Sequence, residues 1–205
     1  MNKMRNNTIF YKVLKLDKYI YGELVTEKSS LQKGIAIWLS GSIISTLAVT
    51  TFLKNLVIYV KEIISVSSAE LPQEAVLEFQ TLIIEIEESF ESINNVSTLI
   101  SSQLFGFFNV FISVAIIYAA LKYFFKKEPN LIFIGIIYGF SSVPILLNIP
   151  ILFFNSIALQ GIVLLVTSIF SLVCLGSGLK QVYMLRNIEA ILLILFSGFS
   201  SLVVL

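Results

Sequence analysis

The sequence predicts an all-α, polytopic integral membrane protein with five transmembrane helices. Of its 205 residues, 57% are hydrophobic and 13% are charged, whereas a soluble domain is roughly half apolar and about a quarter charged. No charged residue occurs from Leu131 to Leu179, and a soluble fold of this size cannot bury such a stretch. Lysine and arginine, finally, are concentrated in alternate connections between the apolar runs.

Five uncharged apolar runs are long enough to cross a bilayer, for which a helix needs about 20 residues. The first begins only after a polar, basic N-terminal segment and is too long for the apolar region of a signal peptide, so we expect no signal peptide. The last run is short, so its far end should lie near a membrane surface. The predicted spans are residues 34–53, 96–121, 131–153, 157–179 and 190–205.

The connections between these runs differ in their basic residues. Residues 1–33 carry seven Lys or Arg against three acids, whereas residues 54–96 carry two Lys against eight Glu. The next connection has three lysines, the following one has none, and the last has Lys180 and Arg186. Because basic connections stay in the cytoplasm, the N-terminus should be cytoplasmic and the C-terminus extracytoplasmic. We therefore expect a multi-pass cell-membrane protein, with a basic cytoplasmic segment at 1–33 followed by a membrane domain at 34–205.

The basic N-terminal segment interleaves lysines with aromatic residues, a pattern typical of a helix at a membrane surface. Near anionic lipid each basic residue contributes about 1 kcal/mol to binding. Simple anchoring of the topology explains the same charges, so both interpretations stay open. The residues concerned are Phe10, Tyr11, Lys12, Lys15, Lys18, Tyr19 and Tyr21.

An acidic helical insertion is predicted at about residues 61–95, on the extracytoplasmic side. Apolar residues recur there at alternating spacings of three and four, which indicates a helix with one apolar stripe. Pro72 suits the start of this helix, because its missing N–H would have no partner there. Asn94 and Asn95 are the point where the helix would be interrupted before the second span. We call the following six positions the apolar stripe: Val76, Phe79, Ile83, Ile86, Phe90 and Ile93.

Three interpretations of the apolar stripe are open. It packs against the rest of the chain, for instance against residues 57–65, or it mediates self-association or contact with another membrane protein. The third interpretation, a helix lying flat on the bilayer, is disfavoured because anionic headgroups repel a glutamate-rich face. Metal binding by the glutamates is only weakly indicated, since the alternating Asp/Asn pattern of calcium loops is missing.

The third predicted span contains its own helix breakers. Pro144 and Pro150 each remove a backbone donor, and in lipid every backbone polar group needs a partner. Small residues at spacings of four and three would let another helix approach closely. We therefore predict a span kinked between Phe140 and Pro144 and packed inside the bundle. The small residues are Gly135, Gly139 and Ser142.

A structural kink is one of three interpretations of this interruption. A second is a passage for a substrate or ion, as in transporters whose spans are built from discontinuous helices. A third is a pair of short helices that enters the membrane and returns to the same side.

Two short motifs carry a resemblance to a known family. Tyr-Gly-Phe at residues 138–140, followed by Pro144, resembles the core motif of the Yip (Ypt-interacting protein) domain family. Gly-Leu-Lys-Gln-Val at residues 178–182 is similar to the usual connection before the last span of that family. The resemblance covers mainly residues 97–205. The candidate motif and structural residues are Gly135, Tyr138, Gly139, Phe140, Pro144, Pro150, Gly178 and Lys180.

The resemblance implies a five-span protein with a cytoplasmic N-terminus, which agrees with the distribution of basic residues. Eukaryotic members of the family interact with Rab GTPases and vesicle-trafficking factors. This chain resembles the prokaryotic members, for which the family implies no defined reaction.

The composition argues against catalysis. The chain has no histidine, which excludes Ser-His nucleophiles and His-Glu-x-x-His zinc sites. Its one aspartate, Asp17, lies outside the spans, and its one cysteine, Cys174, cannot form a disulfide within the chain. We expect no enzyme, no cofactor, no metal and no nucleic-acid partner. The expected function is a Yip-type membrane scaffold or organising factor in the lipid bilayer, and the alternative is a channel or transporter component that uses the broken third span.

Overall fold

The computed structural model describes residues 6–67, 73–93 and 96–203, and every regular element in these ranges is helical. The all-α class predicted from the sequence is confirmed. The α5 helix continues into a π-helical turn at Ala120–Phe124, and the α6 helix is followed by a 3₁₀ helix at Val143–Phe153. The helices are α1 (Asn6–Leu14), α2 (Ile20–Thr26), α3 (Ser30–Ser67), α4 (Gln73–Ile93), α5 (Val96–Ala119), α6 (Leu131–Ser141), α7 (Ile157–Tyr183) and α8 (Asn187–Val203).

Four helical segments among the described residues are long and apolar enough to cross a membrane. This agrees with the membrane character predicted from composition. The apolar part of α8 over described residues, Asn187–Ser197, is shorter than these four. The four segments are Ser30–Ser65, Gln103–Phe124, Leu131–Phe153 and Ile157–Tyr183.

The first long helix extends well beyond the apolar run that predicted it. That run ends at Leu53, but α3 has 38 residues, which is about 57 Å at 1.5 Å per residue. The hydrocarbon core of a bilayer is only about 30 Å thick. The helix continues because residues 54–67 contain neither glycine nor proline, and a change to polar composition does not by itself end a helix.

The α3 helix pairs in antiparallel fashion with α5 and then with α4. The rings of Trp38 and Phe107 meet edge to face at 4.6 Å, and the Ser42 hydroxyl donates to Gln103 Oε1 at 2.8 Å. Towards the far end of α3, Lys61 Nζ lies 2.7 Å from Glu87 Oε1. These pairs keep a nearly constant register over the length of α3. The α4 helix is therefore held beside the part of α3 that extends beyond the apolar run.

We call residues 56–67 of α3 together with α4 the projecting hairpin. Its small core contains Val57, Ile64 and Ile83, with Leu53, Val60 and Val76 packed against them. Packing against residues 57–65, the first interpretation of the apolar stripe, therefore holds for two stripe residues, Val76 and Ile83.

The other stripe residues do not join this core. Phe79 is 46% exposed and Ile86 is 41% exposed, because both lie to one side of the line of contact with α3. The side chains of Phe90 and Ile93 lie outside the described residues, as do Pro72, Asn94 and Asn95.

The two N-terminal helices are part of the main core rather than a separate surface element. Ile9, Val13, Ile20, Tyr21 and Leu24 are each 2% exposed or less. They form one cluster with buried residues of α6 and α7. One interpretation of this segment places its aromatic side chains at the membrane surface. For Tyr21 that interpretation is wrong, because its side chain fills the core. The Tyr11 and Tyr19 side chains are exposed.

Candidate functional site

The interruption of the third predicted span lies where the sequence predicts it. The α6 helix ends at Ser141, and the backbone continues as a 3₁₀ helix of 11 residues, although such helices rarely exceed about four residues. Pro144 is the second residue of the 3₁₀ helix, where a missing N–H costs little. Pro150 lies inside it, so a further backbone donor is missing there.

Polar side chains of α7 compensate for the irregular backbone. Gln160 Nε2 donates to the carbonyl oxygens of Ile151 at 3.1 Å and Phe154 at 2.6 Å. The Ser171 hydroxyl donates to the Ser141 carbonyl at 2.7 Å, at the point where the α-helix ends. In an apolar environment an unpaired backbone carbonyl costs several kcal/mol. These contacts allow the 3₁₀ segment to lie within the bundle.

Two further polar contacts tie the same segment to its neighbours. The Thr167 hydroxyl lies 2.6 Å from Asn148 Oδ1, and both side chains are buried. Asn55 Nδ2 of α3 donates to Gln160 Oε1 at 3.2 Å. The interrupted span is therefore bonded to α7, and α7 in turn to α3.

A glycine contact brings α3 directly against α6. A Cβ atom on Gly139 would lie 2.6 Å from the backbone of Gly34, so the two helices touch through their main chains. Gly135 faces Leu31 with ordinary clearance of 3.6 Å, and Ser142 is buried. The predicted close approach along these small residues is confirmed, and Gly139 is its tightest point.

Beside the interruption the structure contains a polar pocket of about 200 Å³. Helices α3, α5, α6, α7 and α8 all contribute to it, together with the start of the 3₁₀ segment. The predicted motif residue Tyr138 lines it and is hydrogen-bonded to Ser113. The pocket lining is Trp38, Asn109, Ser113, Tyr138, Ser141, Ser142, Ile145, Ser171, Leu172, Leu175 and Ser197.

Several hydroxyl groups of the polar pocket donate to backbone carbonyls. Ser141 and Ser142 donate to the Tyr138 carbonyl at 2.7 and 3.4 Å, and Ser197 donates to the Ile194 carbonyl at 2.8 Å. A hydroxyl that donates its only hydrogen keeps lone pairs with which to accept. Among the residues that the structure describes, none that lines the pocket is charged. It therefore suits a neutral molecule that brings hydrogen-bond donors of its own.

The second motif lies elsewhere, under the N-terminal helices. A Cβ on Gly178 would lie 2.5 Å from Ile137 and 2.9 Å from the Tyr21 ring. Gln181 accepts from the Tyr21 backbone N–H at 3.2 Å and donates to the Asp17 carbonyl at 2.9 Å. This motif therefore joins α7 to the turn between α1 and α2.

The remaining predicted residues take no part in the polar pocket. Phe140 is buried in the main core, and Pro144 is buried beside it, whereas Pro150 and Lys180 are exposed. The structure thus brings Tyr138, Gly139 and Phe140 together with the interruption and places Gly178 and Lys180 at the end of the bundle near the N-terminal helices.

That end of the bundle carries exposed basic and aromatic side chains. The Lys15 ammonium lies 4.5 Å from the centre of the Tyr11 ring, and Lys18 and Tyr19 are exposed in the adjoining turn. Further exposed residues at this end are Lys122, Tyr123, Phe124, Lys126, Lys180, Met184, Arg186 and Ile188.

A salt bridge fixes the junction between α2 and α3 at this same end. Lys33 Nζ lies 2.6 Å from Glu27 Oε1, and the Ser29 and Ser30 hydroxyls also donate to this carboxylate. The hydrogen bond from Lys33 is the main cause that lowers the pKa of Glu27.

Sequence reasoning missed the polar side of α7. Gln160, Thr167 and Ser171 are seven and four residues apart, which places them on one face of a helix. In an uncharged apolar run that regularity is a detectable signal of a buried, helix-facing stripe. The convergence of Ser113 and Ser197 from other helices had no such signal, because it depends on the packing of the bundle.

Among the described residues no cluster of three or more His, Cys, Asp or Glu side chains could hold a metal ion. Comparison with protein-family models, curated proteins and solved structures gives no significant match to this chain.

Proposed function

We propose that this chain is a multi-pass cell-membrane protein of Yip type that acts without catalysis, as a scaffold that organises the membrane. In this proposal the chain crosses five times, with α8 as the fifth span, the N-terminus in the cytoplasm and the C-terminus outside. The observation that supports it best is the docking of α1 and α2 into the main core. Docked helices hold a fixed surface at one end of the bundle, which a scaffold needs and a flexible tail lacks.

The chemistry of that surface fits anionic lipid headgroups. Lys15 and Lys18 are exposed beside Tyr11 and Tyr19, and aromatic side chains with polar tips favour the membrane–water interface. Lys12 is engaged by Glu23 at 3.0 Å, so it contributes less net charge to the surface. A fixed array of lysines can bind lipid without first losing the conformational entropy of a disordered tail.

Lipid titration of the purified protein tests this proposal. In neutral detergent, added phosphatidylglycerol should raise the midpoint of thermal unfolding, because a ligand of the folded state stabilises it. The double variant Lys15→Gln/Lys18→Gln should show a clearly smaller rise, since each lysine contributes about 1 kcal/mol. The matched control is Lys61→Gln, at the other end of the molecule. Equal rises in all three proteins would contradict the proposed surface.

The polar pocket favours a second candidate function, a channel or transporter component. Five serines, an asparagine and a tyrosine from four helices and the start of the 3₁₀ segment line a space of about 200 Å³ next to an interrupted span. Binding sites beside discontinuous helices are usual in transporters. None of the described lining residues is charged, so the expected solute is small, neutral and rich in hydrogen-bond donors, such as a polyol.

Osmotic swelling of proteoliposomes in glycerol separates the two functions. A channel or transporter should accelerate glycerol entry, and Asn109→Leu should abolish the acceleration because it replaces a polar lining group by a bulkier apolar one. The matched control on the same helix is Phe111→Leu, whose side chain is 70% exposed and outside the pocket. Entry no faster than in protein-free vesicles would leave the scaffold as the function.

A further inference from the structure

The α3 and α5 helices touch at one point and leave a groove between them beyond it. At the point of contact the rings of Trp38 and Phe107 meet edge to face at 4.6 Å. A Cβ on Gly106 would lie 3.7 Å from the Trp38 ring, so the two helices approach closely here. Towards the projecting hairpin the space between them has a volume of about 380 Å³. We call it the α3–α5 groove, and its lining residues are Ile43, Thr46, Leu47, Ile100, Gln103, Leu104 and Phe107.

The walls of the α3–α5 groove are mainly apolar, and its two polar lining residues are hydrogen-bonded to α3. The Thr46 hydroxyl donates to the Ser42 carbonyl at 3.0 Å, and Gln103 Oε1 accepts from the Ser42 hydroxyl at 2.8 Å. A water-soluble ligand would lose hydrogen bonds to water in such a groove and find few to replace them. The exposed wall residues are Ile43, Leu47, Ile100 and Leu104.

The position of the groove along α3 matches one leaflet of a bilayer. Ile43 lies near its deep end, and Lys54 follows 11 residues later, which is about 16 Å at 1.5 Å per residue. That is close to half of the roughly 30 Å hydrocarbon core of a bilayer. Lys54 is seven residues beyond Leu47 and therefore on the same face of α3. The groove thus extends from near the middle of the membrane towards a basic residue at one surface.

We propose that the α3–α5 groove binds one acyl chain of a phospholipid from the leaflet nearer the projecting hairpin. The chain enters from that leaflet and ends at the contact between Trp38 and Phe107. The phosphate then lies at the level of Lys54, whose ammonium carries the opposite charge and can reach the membrane surface on its flexible stem. A flexible apolar chain fills an irregular groove and needs no hydrogen-bonding partner there.

The wall residues favour a lipid chain over a second helix. Helices that associate inside membranes meet through small residues, which let their backbones approach closely. The exposed walls of the α3–α5 groove are isoleucine and leucine, and Gly106 faces Trp38 instead. A helix is about 10–12 Å wide with its side chains, whereas a lipid chain is thin enough to lie between the wall side chains. The site requires only that α3 and α5 cross the membrane, and it is independent of the scaffold function.

Fluorescence of Trp38, the only tryptophan in the sequence, tests the site on the wild-type protein. The probe is phosphatidylglycerol that carries two bromines deep in one acyl chain, because bromine quenches tryptophan emission at close range. In neutral detergent this lipid should quench Trp38 saturably, and unbrominated lipid of equal chain length should reverse the quenching. Lipid with chains half as long should need at least tenfold more, because it buries fewer methylene groups. Quenching without saturation, or equal competition by both lipids, would overturn the proposal.

Narrowing the groove gives a matched comparison. Leu47→Phe/Leu104→Phe enlarges one side chain on each wall and should raise the lipid concentration for half-quenching at least tenfold. The control Leu165→Phe/Leu195→Phe makes the same change at exposed positions of α7 and α8 and should bind like the wild type. Equal half-quenching concentrations in the two double variants would contradict binding in the groove.

A third variant separates this site from the basic surface proposed above. Lys15→Gln/Lys18→Gln alters the surface at the other end of the bundle and leaves the groove intact. Its Trp38 emission should be quenched at the wild-type lipid concentration. Loss of quenching in this variant would place the bound lipid at the basic surface and contradict the groove as its site.

Discussion

Single glycines decide how closely the helices of this bundle approach. At Gly139 the obstacle to a side chain is the backbone of Gly34, which cannot move aside without shifting a whole helix. At Gly178 the obstacles are the Ile137 Cγ2 methyl and the edge of the Tyr21 ring, which are side-chain atoms and can shift more easily than a helix backbone. A methyl group at Gly22 would meet nothing within 4 Å. The three positions therefore form a graded series.

Alanine substitution at these positions should reproduce that grading. Gly178→Ala should destabilise the folded protein by about 1–3 kcal/mol, which is typical of overpacking. Gly139→Ala should destabilise it more. Gly22→Ala should be neutral or stabilise by up to about 1 kcal/mol, because alanine is the better helix former. Thermal unfolding in detergent measures all three. Equal melting temperatures for Gly139→Ala and Gly22→Ala would show that α3 and α6 do not touch through their backbones.

The turn after α7 contains a residue in a left-handed conformation. Met184 ends the helix with φ of 50° and ψ of 51°, a region that costs a side-chain-bearing residue roughly 1–2 kcal/mol. Its side chain is 84% exposed, so little packing is lost on removal. Met184→Gly should therefore raise the melting temperature. The control Ile188→Gly, at a position 72% exposed in the first turn of α8, should lower the melting temperature. A lower melting temperature for Met184→Gly would contradict the observed backbone conformation.

At the scale of elements, the interrupted span is held by the polar side of α7. Replacing Thr167 by valine keeps the shape but removes the hydroxyl that bonds Asn148, which leaves a buried amide oxygen with one partner fewer. The expected loss is about 1 kcal/mol, in line with interhelical hydrogen bonds inside membranes. The control is Thr51→Val, whose hydroxyl donates to the Leu47 carbonyl of its own helix. Equal unfolding free energies for the two variants would show that the Thr167 contact does not support the span.

The junction between α2 and α3 should respond to acid. Because the Lys33 hydrogen bond lowers the pKa of Glu27 below its ordinary value, the folded state binds this proton less readily than the unfolded state. The contribution to stability is then complete above the ordinary glutamate pKa of about 4.3 and is lost as pH falls through the lower folded-state value. Glu27→Gln should flatten the acid limb of a stability–pH profile. An unchanged acid limb would mean that the salt bridge does not form.

At the scale of the whole molecule, the sequence predicted best the features that depend on a repeated pattern or a long uncharged run. Charge-free runs identified helices, and the prolines at 144 and 150 located the break, because lipid tolerates few alternatives to a helix. The sequence was least informative about contacts between distant segments. The docking of Tyr21 against Gly178 and the convergence of serines on the polar pocket depend on helix packing, which leaves no local pattern. The apolar stripe shows both cases, since its periodicity predicted a helix but not which half of it faces α3.

The central claim is that the docked N-terminal helices and the projecting hairpin lie on opposite sides of a membrane. Single cysteines at Lys18 and Glu78, each in a Cys174→Ala background, test it with a membrane-impermeant maleimide on intact cells. The account predicts rapid labelling of the cysteine at position 78, and labelling of the cysteine at position 18 only after the membrane is permeabilised. Labelling of both positions in intact cells, or of neither, would contradict it.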